Sequence, residues 1–125
     1  MPVLPRRLRR LPAREAGPFT LLLAFGPLQR LLGLTGLGGL PPRTAVLLPA
    51  TRSVHTWGMR FPIDLVWLDG RGRPVAIDTG VERRRLRGQR GARAVVECRA
   101  GEGPAVASTL WQACRRSTTP GALAH

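Results

Sequence analysis

The sequence predicts a mostly β fold: one small sandwich or barrel-like domain carrying one or two short helices. Three observations lead there. The chain has 125 residues, the usual size of a single domain and too few for an elaborate multi-domain enzyme. Glycine and proline together supply 27 residues, which favours short elements and many turns over long helices. Short runs rich in valine, leucine and isoleucine recur roughly every 8–12 residues, with turn residues between them.

Residues 1–17 are basic and punctuated by proline, and are expected to form a tail that need not pack. The β-rich domain is expected over residues 18–116, and a second tail over 117–125. Arg6, Arg7, Arg9 and Arg10 ahead of the apolar run Phe19 to Phe25 imitate a targeting signal. Pro12 and Glu15 break the junction, however, and the run ends at Gly26-Pro27 without a small-x-small cleavage site. No run of about 18 apolar residues could span a membrane. The expected compartment is therefore cytoplasmic.

Phe19 to Ala24 reads as a buried strand ended by Gly26-Pro27. Pro27 suits the first turn of a short helix with Leu28, Leu31 and Leu32 on one face. Gly33, Gly36, Gly38 and Gly39 then open a loop closed by Pro41-Pro42. They match neither a phosphate loop nor the dinucleotide fingerprint. Thr44 to Leu48 is a second strand, and Ser53 to Trp57 a third that leads into a turn at Gly58.

The clearest pair follows. Ile63 to Leu68 runs to Asp69-Gly70-Arg71-Gly72, and Pro74 to Asp78 returns, a hairpin around an Asp-Gly turn. Alternation places Ile63, Leu65 and Trp67 on one face and Asp64, Val66 and Leu68 on the other. Both faces are largely apolar, so the strand is expected to be central, with Asp64 near the interior or its rim. Residues 82–93 read as an arginine-dense loop and Ala94 to Cys98 as the last strand. Gly103-Pro104 opens a helix with Val106, Leu110 and Ala113 along it.

The formal net charge is +13, and all 20 cations are arginine, with lysine, asparagine and tyrosine absent. GC-rich coding gives such a composition without any anionic partner. The distribution is more informative. Residues 1–15 carry five arginines and one glutamate, and residues 82–93 six arginines and one glutamate, whereas residues 43–79 balance five arginines against three aspartates. Mean hydropathy near zero (−0.05) and 43% hydrophobic residues exclude a wholly disordered polybasic chain.

Ser53 to Asp64 concentrates the special side chains: a histidine, a tryptophan, a methionine, an arginine and an aspartate around a glycine turn. Three functional readings follow. In the first, His55, Thr56, Arg60 and Asp64, with Glu97, form a polar cleft of a binding or accessory module. The Arg60 fork would hold a small anionic ligand, a carboxylate or phosphate. In the second, Arg83, Arg84, Arg85, Arg87, Arg90 and Arg93 bind nucleic acid or another polyanion weakly and without sequence preference. That loop has no aromatic residue on which bases could stack. In the third, His55 is a general base oriented by Asp64 in a hydrolase or transferase. The plainer alternative is that His55 packs, Met59 and Phe61 fill core, and Asp64 caps a turn or pairs with Arg60. No metal is expected, because the available side chains have no ligand spacing, and no cofactor is expected either. Cys98 and Cys114, 16 apart, fit no Cys-x-x-Cys motif and are expected to be idle thiols.

Several of these residues also carry a resemblance. Arg30-Leu31-Leu32-Gly33-Leu34, the run Ser53 to Asp64, and Leu65-Val66-Trp67-Leu68-Asp69-Gly70 resemble the bacterial and archaeal family known as domain of unknown function 192. Its elements map to Arg30 and Gly33-Leu34; to Trp57, Met59, Arg60, Ile63 and Asp64; to Asp69-Gly70; and to Glu97 with Gly101. The match covers roughly residues 18–103. It implies a compact β-sandwich or barrel-like domain with one or two short helices, and no particular reaction. Many members end in a further strand after a Gly-Asp turn. Here Trp111 to Arg116 and a low-information tail stand in its place.

Overall fold

The computed structural model describes residues 6–26, 34 and 37–117. The expected helix after Pro27, with Leu28, Leu31 and Leu32, lies outside the described residues, as does the tail from residue 118 onward. Among these residues, two helices, α1 (Arg6–Arg9) and α2 (Gly103–Ser117), accompany eight strands. These are β1 (Ala13–Ala16), β2 (Phe19–Leu23), β3 (Thr44–Pro49), β4 (Ser53–His55), β5 (Ile63–Leu68), β6 (Pro74–Val81), β7 (Leu86–Gly88) and β8 (Ala94–Arg99). Six of them make one sheet in the order β1-β2-β3-β8-β5-β6, while β4 and β7 pair separately. The large sheet is open, with β1 and β6 as its edges. It does not close into a barrel, and the layers against it are built largely of helix and loop rather than of a second large sheet.

β5 is the central strand expected from its apolar composition. All six of its residues are buried, and it pairs antiparallel with β8 on one side and β6 on the other. Ile63, Leu65 and Trp67 enter one core, and Val66 and Leu68 the other. The hairpin turn is locked by Asp69, whose Oδ1 accepts the amides of Arg71 (2.8 Å) and Arg73 (2.9 Å). The buried indole of Trp67 donates to Asp78 Oδ2 at 2.8 Å, which removes the cost of burying its N–H.

β2 and β3 pair in parallel, with Thr20 opposite Thr44. A parallel pair needs a long crossover, and the described part of this one sends Leu34, Leu37 and Leu40 onto the Ile63/Leu65/Trp67 face. Leu8 and Leu11 cover the same face, together with Val54, Met59 and Phe61. The opposite face is covered by Val106, Ala107 and Leu110 of α2.

Two expectations are corrected here. Part of residues 1–17 packs: Leu8 is 1% exposed, and β1 pairs antiparallel with β2 from Ala13 opposite Leu22 to Ala16 opposite Phe19. The basic composition hid one leucine whose burial is worth about 2 kcal/mol, and a strand whose backbone completes the sheet. The arginine-dense segment is not all loop, because Leu86–Gly88 pairs antiparallel with Ser53–His55. As expected from the sequence, β8 is the last strand among the described residues, and the helix opened by Gly103-Pro104 follows it.

Candidate functional site

The five residues expected to share a polar cleft sit in four environments. Asp64 is fully buried on the α2 face of β5. Its Oδ1 accepts the amide of Gly80 at 2.7 Å, and its Oδ2 accepts those of Gly101 and Gly103 at 2.9 and 2.8 Å. One carboxylate thus ties β5 to β6 and to the loop that opens α2. It also places a negative charge at the positive end of that helix. With three amides in place, Asp64 is a structural knot.

Glu97 lies on the other face of the sheet, opposite Leu65 and Val46 in register. It is 3% exposed, and Oε1 has no hydrogen-bond partner among the described residues. Burial pushes its carboxyl from an ordinary 4.5 up to about 7, opposed by a hydrogen bond from the Leu34 amide and by the charge of Arg7. Asp64 and Glu97 belong to adjacent strands, yet the sheet separates their side chains.

Thr56 is buried and saturated. Its hydroxyl donates to Glu82 O at 2.6 Å and accepts the amide of Arg85 at 2.8 Å. Its own amide donates to Arg85 O at 2.8 Å, and its carbonyl accepts Met59 N at 3.1 Å and Arg84 N at 3.4 Å. This clamp fixes the 82–85 segment, where Arg84 adopts a left-handed conformation (φ 61°). Such a conformation costs a non-glycine residue about 1–2 kcal/mol, and the Thr56 bonds hold it in place.

His55 and Arg60 are exposed, and the sequence missed what the exposed part of this segment adjoins. Trp57 is 51% exposed, and the His55 ring meets it edge-on, with centroids 6.4 Å apart. Thr56 sits between the two ring residues and is bonded to residues 82–85, which ties that arginine-rich segment to the stretch of chain that carries the rings. His55 faces Leu86 in register, and Leu86 is 67% exposed. Arg83, Arg84, Arg85 and Arg90 are exposed and Arg87 half-buried. Arg93 stands apart, lining a shallow concavity with Arg52, Ala50 and Gly70. Residues 82–93 contain no aromatic residue, whereas β4 and the turn after it carry His55 and Trp57.

Among the described residues no three His, Cys, Asp or Glu side chains gather where a metal could sit. No described helix is long and apolar enough to cross a membrane. Cys98 and Cys114 are free thiols. Burial, followed by the nearby charges of Asp64, Glu102 and Glu97, pushes the Cys98 thiol up to about 12.

The family profile for domain of unknown function 192, described as "Uncharacterized ACR", matches residues 11–106. The chain belongs to this family. The match starts at Leu11, so it takes in β1 and all the strands after it. Among curated proteins, none matches the chain.

Two solved structures share the family member's fold. One is a protein of unknown function from Novosphingobium aromaticivorans, with a TM-score of 0.62 at 17% identity, covering 70% of this chain and 68% of that one. The other, from Sinorhizobium meliloti, bears the description of a candidate transcription regulator. It has a TM-score of 0.57 at 26% identity, over 66% of this chain and 70% of that one. In this member of the family, Asp64 and Gly101 of the motif meet through a hydrogen bond, and Ile63 and Met59 are core. Among the described motif residues, Trp57 and Arg60 are exposed, as are Gly70 and Gly101.

Proposed function

We propose that the domain is a binding module that takes single-stranded nucleic acid on the β4–β7 flap. The observation that supports this reading is the Thr56 clamp, which ties the chain carrying the exposed rings of Trp57 and His55 to the segment of Arg83, Arg84 and Arg85. Aromatic faces give sequence-tolerant stacking and arginines neutralise the backbone, the two components of single-strand binding. Arg60, exposed three residues beyond Trp57, extends the basic rim. The description of the Sinorhizobium meliloti protein as a candidate regulator of transcription is in keeping with a nucleic-acid ligand. The first and second sequence readings thus merge into one surface. The cleft reaching to Asp64 and Glu97 is replaced by a flap.

The test is oligothymidylate binding at about 50 and 200 mM salt. Affinity falls steeply between the two. Replacing Arg83, Arg84 and Arg85 with alanine flattens the log–log salt slope by about 0.7 for each phosphate no longer neutralised. Trp57→Ala weakens binding by about 1–3 kcal/mol with the slope unchanged. Absence of binding at the lower salt disposes of the proposal.

A further inference from the structure

The opposite side of the sheet carries a feature that the flap does not use. Between α2 and the β1–β2–β3 end of the sheet lies an open cleft of about 450 Å³. Its floor is Leu23, Leu47 and Leu68, and α2 supplies Leu110 and Ala113. Phe25, 59% exposed just beyond β2, lines it as well. The size lies within the range of small-molecule sites, which are mostly apolar with a few polar groups that fix orientation. Those groups here are charged. Among the described residues, Arg14 and Arg116 line the cleft together with one acidic residue, Glu15.

The arrangement follows from register. Arg14 on β1 stands opposite Leu21 on β2, on the face that α2 covers, so the guanidinium rises from the strand beside the leucine floor. The backbone at Gly17 approaches Thr109 of α2 so closely that a Cβ there would lie 2.8 Å from Thr109 Cγ2. That contact anchors the β1–β2 turn against the helix and gives the cleft a firm end.

We infer that this cleft binds an anionic amphiphile with one alkyl chain, such as an alkyl carboxylate, the chain lying on the leucines and the carboxylate meeting Arg14 and Arg116. The apolar lining favours a flexible hydrocarbon, and the excess of guanidinium over carboxylate favours an anionic head over a cationic one. The site lies on the α2 side of the sheet, whereas the flap packs on the other side through Val54 and Met59. The two proposals therefore stand or fall separately.

Decanoate below its micelle concentration tests the inference, with decanol and decyltrimethylammonium as neutral and cationic probes. Binding is read by chemical-shift changes in the full chain. Decanoate is expected to bind saturably, with shifts centred on Leu23, Leu47 and Leu110, and more tightly than either control. Arg14→Glu, a change at an exposed position, weakens decanoate about tenfold and leaves decanol unchanged. Ala113→Trp fills the cleft and removes binding of both. Equal binding of the cationic probe, indifference of decanoate to both variants, or no saturable binding by folded protein overturns the proposal.

Discussion

Asp64 Oδ2 accepts the amide of Gly103 at 2.8 Å, and a Cβ on Gly103 would lie 2.7 Å from that same oxygen. A buried carboxylate on a central strand thus acts as the N-terminal cap of a helix nearly forty residues later. It does so only because residue 103 has no side chain. The first turn of α2 itself has no acidic residue; Glu102 directly precedes it, and the Asp64 carboxylate adds a complement to the helix dipole from the central strand.

Asp64→Ala leaves three amides without their acceptor and is expected to cost at least about 3 kcal/mol, measured by urea unfolding. Gly103→Ala should be destabilising for lack of room. Gly101→Ala meets open space, but the residue stands at φ 95°, so its cost of about 1 kcal/mol is conformational. If Gly103→Ala is as mild as Gly101→Ala, the close approach is not what fixes the helix start.

Glu97 sets a pH dependence of stability. Its carboxyl titrates near 4.5 in an unfolded chain and at about 7 in the fold. Between those values the folded state holds more protons than the unfolded one, so stability falls as pH rises through the window and levels off above it. The change is on the order of 3 kcal/mol. Glu97→Gln should flatten this slope and be more stable than the parent at pH 8. Denaturation midpoints at pH 5, 6, 7 and 8 check both statements, and parallel profiles would reject the role.

Thr56→Val keeps the shape of residue 56 but removes the hydroxyl that joins Glu82 O and Arg85 N. The expected cost is about 1–3 kcal/mol. Released from the clamp, residues 82–85 no longer hold Arg84 in its left-handed conformation. Oligonucleotide binding should then weaken although no arginine and no ring has been removed. Retained affinity in a folded Thr56→Val variant would show that preorganisation is not needed.

The two thiols should differ in reactivity. Cys98 is buried with its thiol pushed up to about 12, so it stays protonated at pH 8 and resists iodoacetamide until the chain unfolds. Cys114 is half-buried, its Sγ 3.5 Å from Gly72 O. Mass spectrometry of the native protein should find no adduct on Cys98, and two adducts should appear per chain in denaturant. Rapid native labelling of Cys98 would contradict its place in the core.

Leu8→Ala tests whether the basic N-terminal segment is part of the domain. Loss of a fully buried leucine from the core is expected to cost about 2–5 kcal/mol. A change within about 0.5 kcal/mol would return this segment to the status of an unpacked tail.

Much of the scaffold is legible in consecutive residues: the β class, the hairpin around Asp69-Gly70, the central position of Ile63 to Leu68, and the two-sided alternation that buries Asp64. These are local properties, because strand periodicity and turn chemistry act between neighbours. The family motif is legible too, through the order and spacing of Trp57, Met59, Arg60, Ile63 and Asp64. What the polar residues do emerges only in three dimensions. Strand pairing sends Asp64 and Glu97 to opposite faces, and nothing in the residues between them reveals which side of the sheet faces which helix. Leu8 was illegible among arginines because one apolar residue has no periodicity to read. Residues 82–93 have no aromatic ring, and their link to the segment of His55 and Trp57 is made by β4–β7 pairing and the Thr56 bonds, long-range contacts. A sequence specifies short-range conformation directly, whereas a site is a meeting of distant residues. The meeting follows from burial and register across the whole sheet.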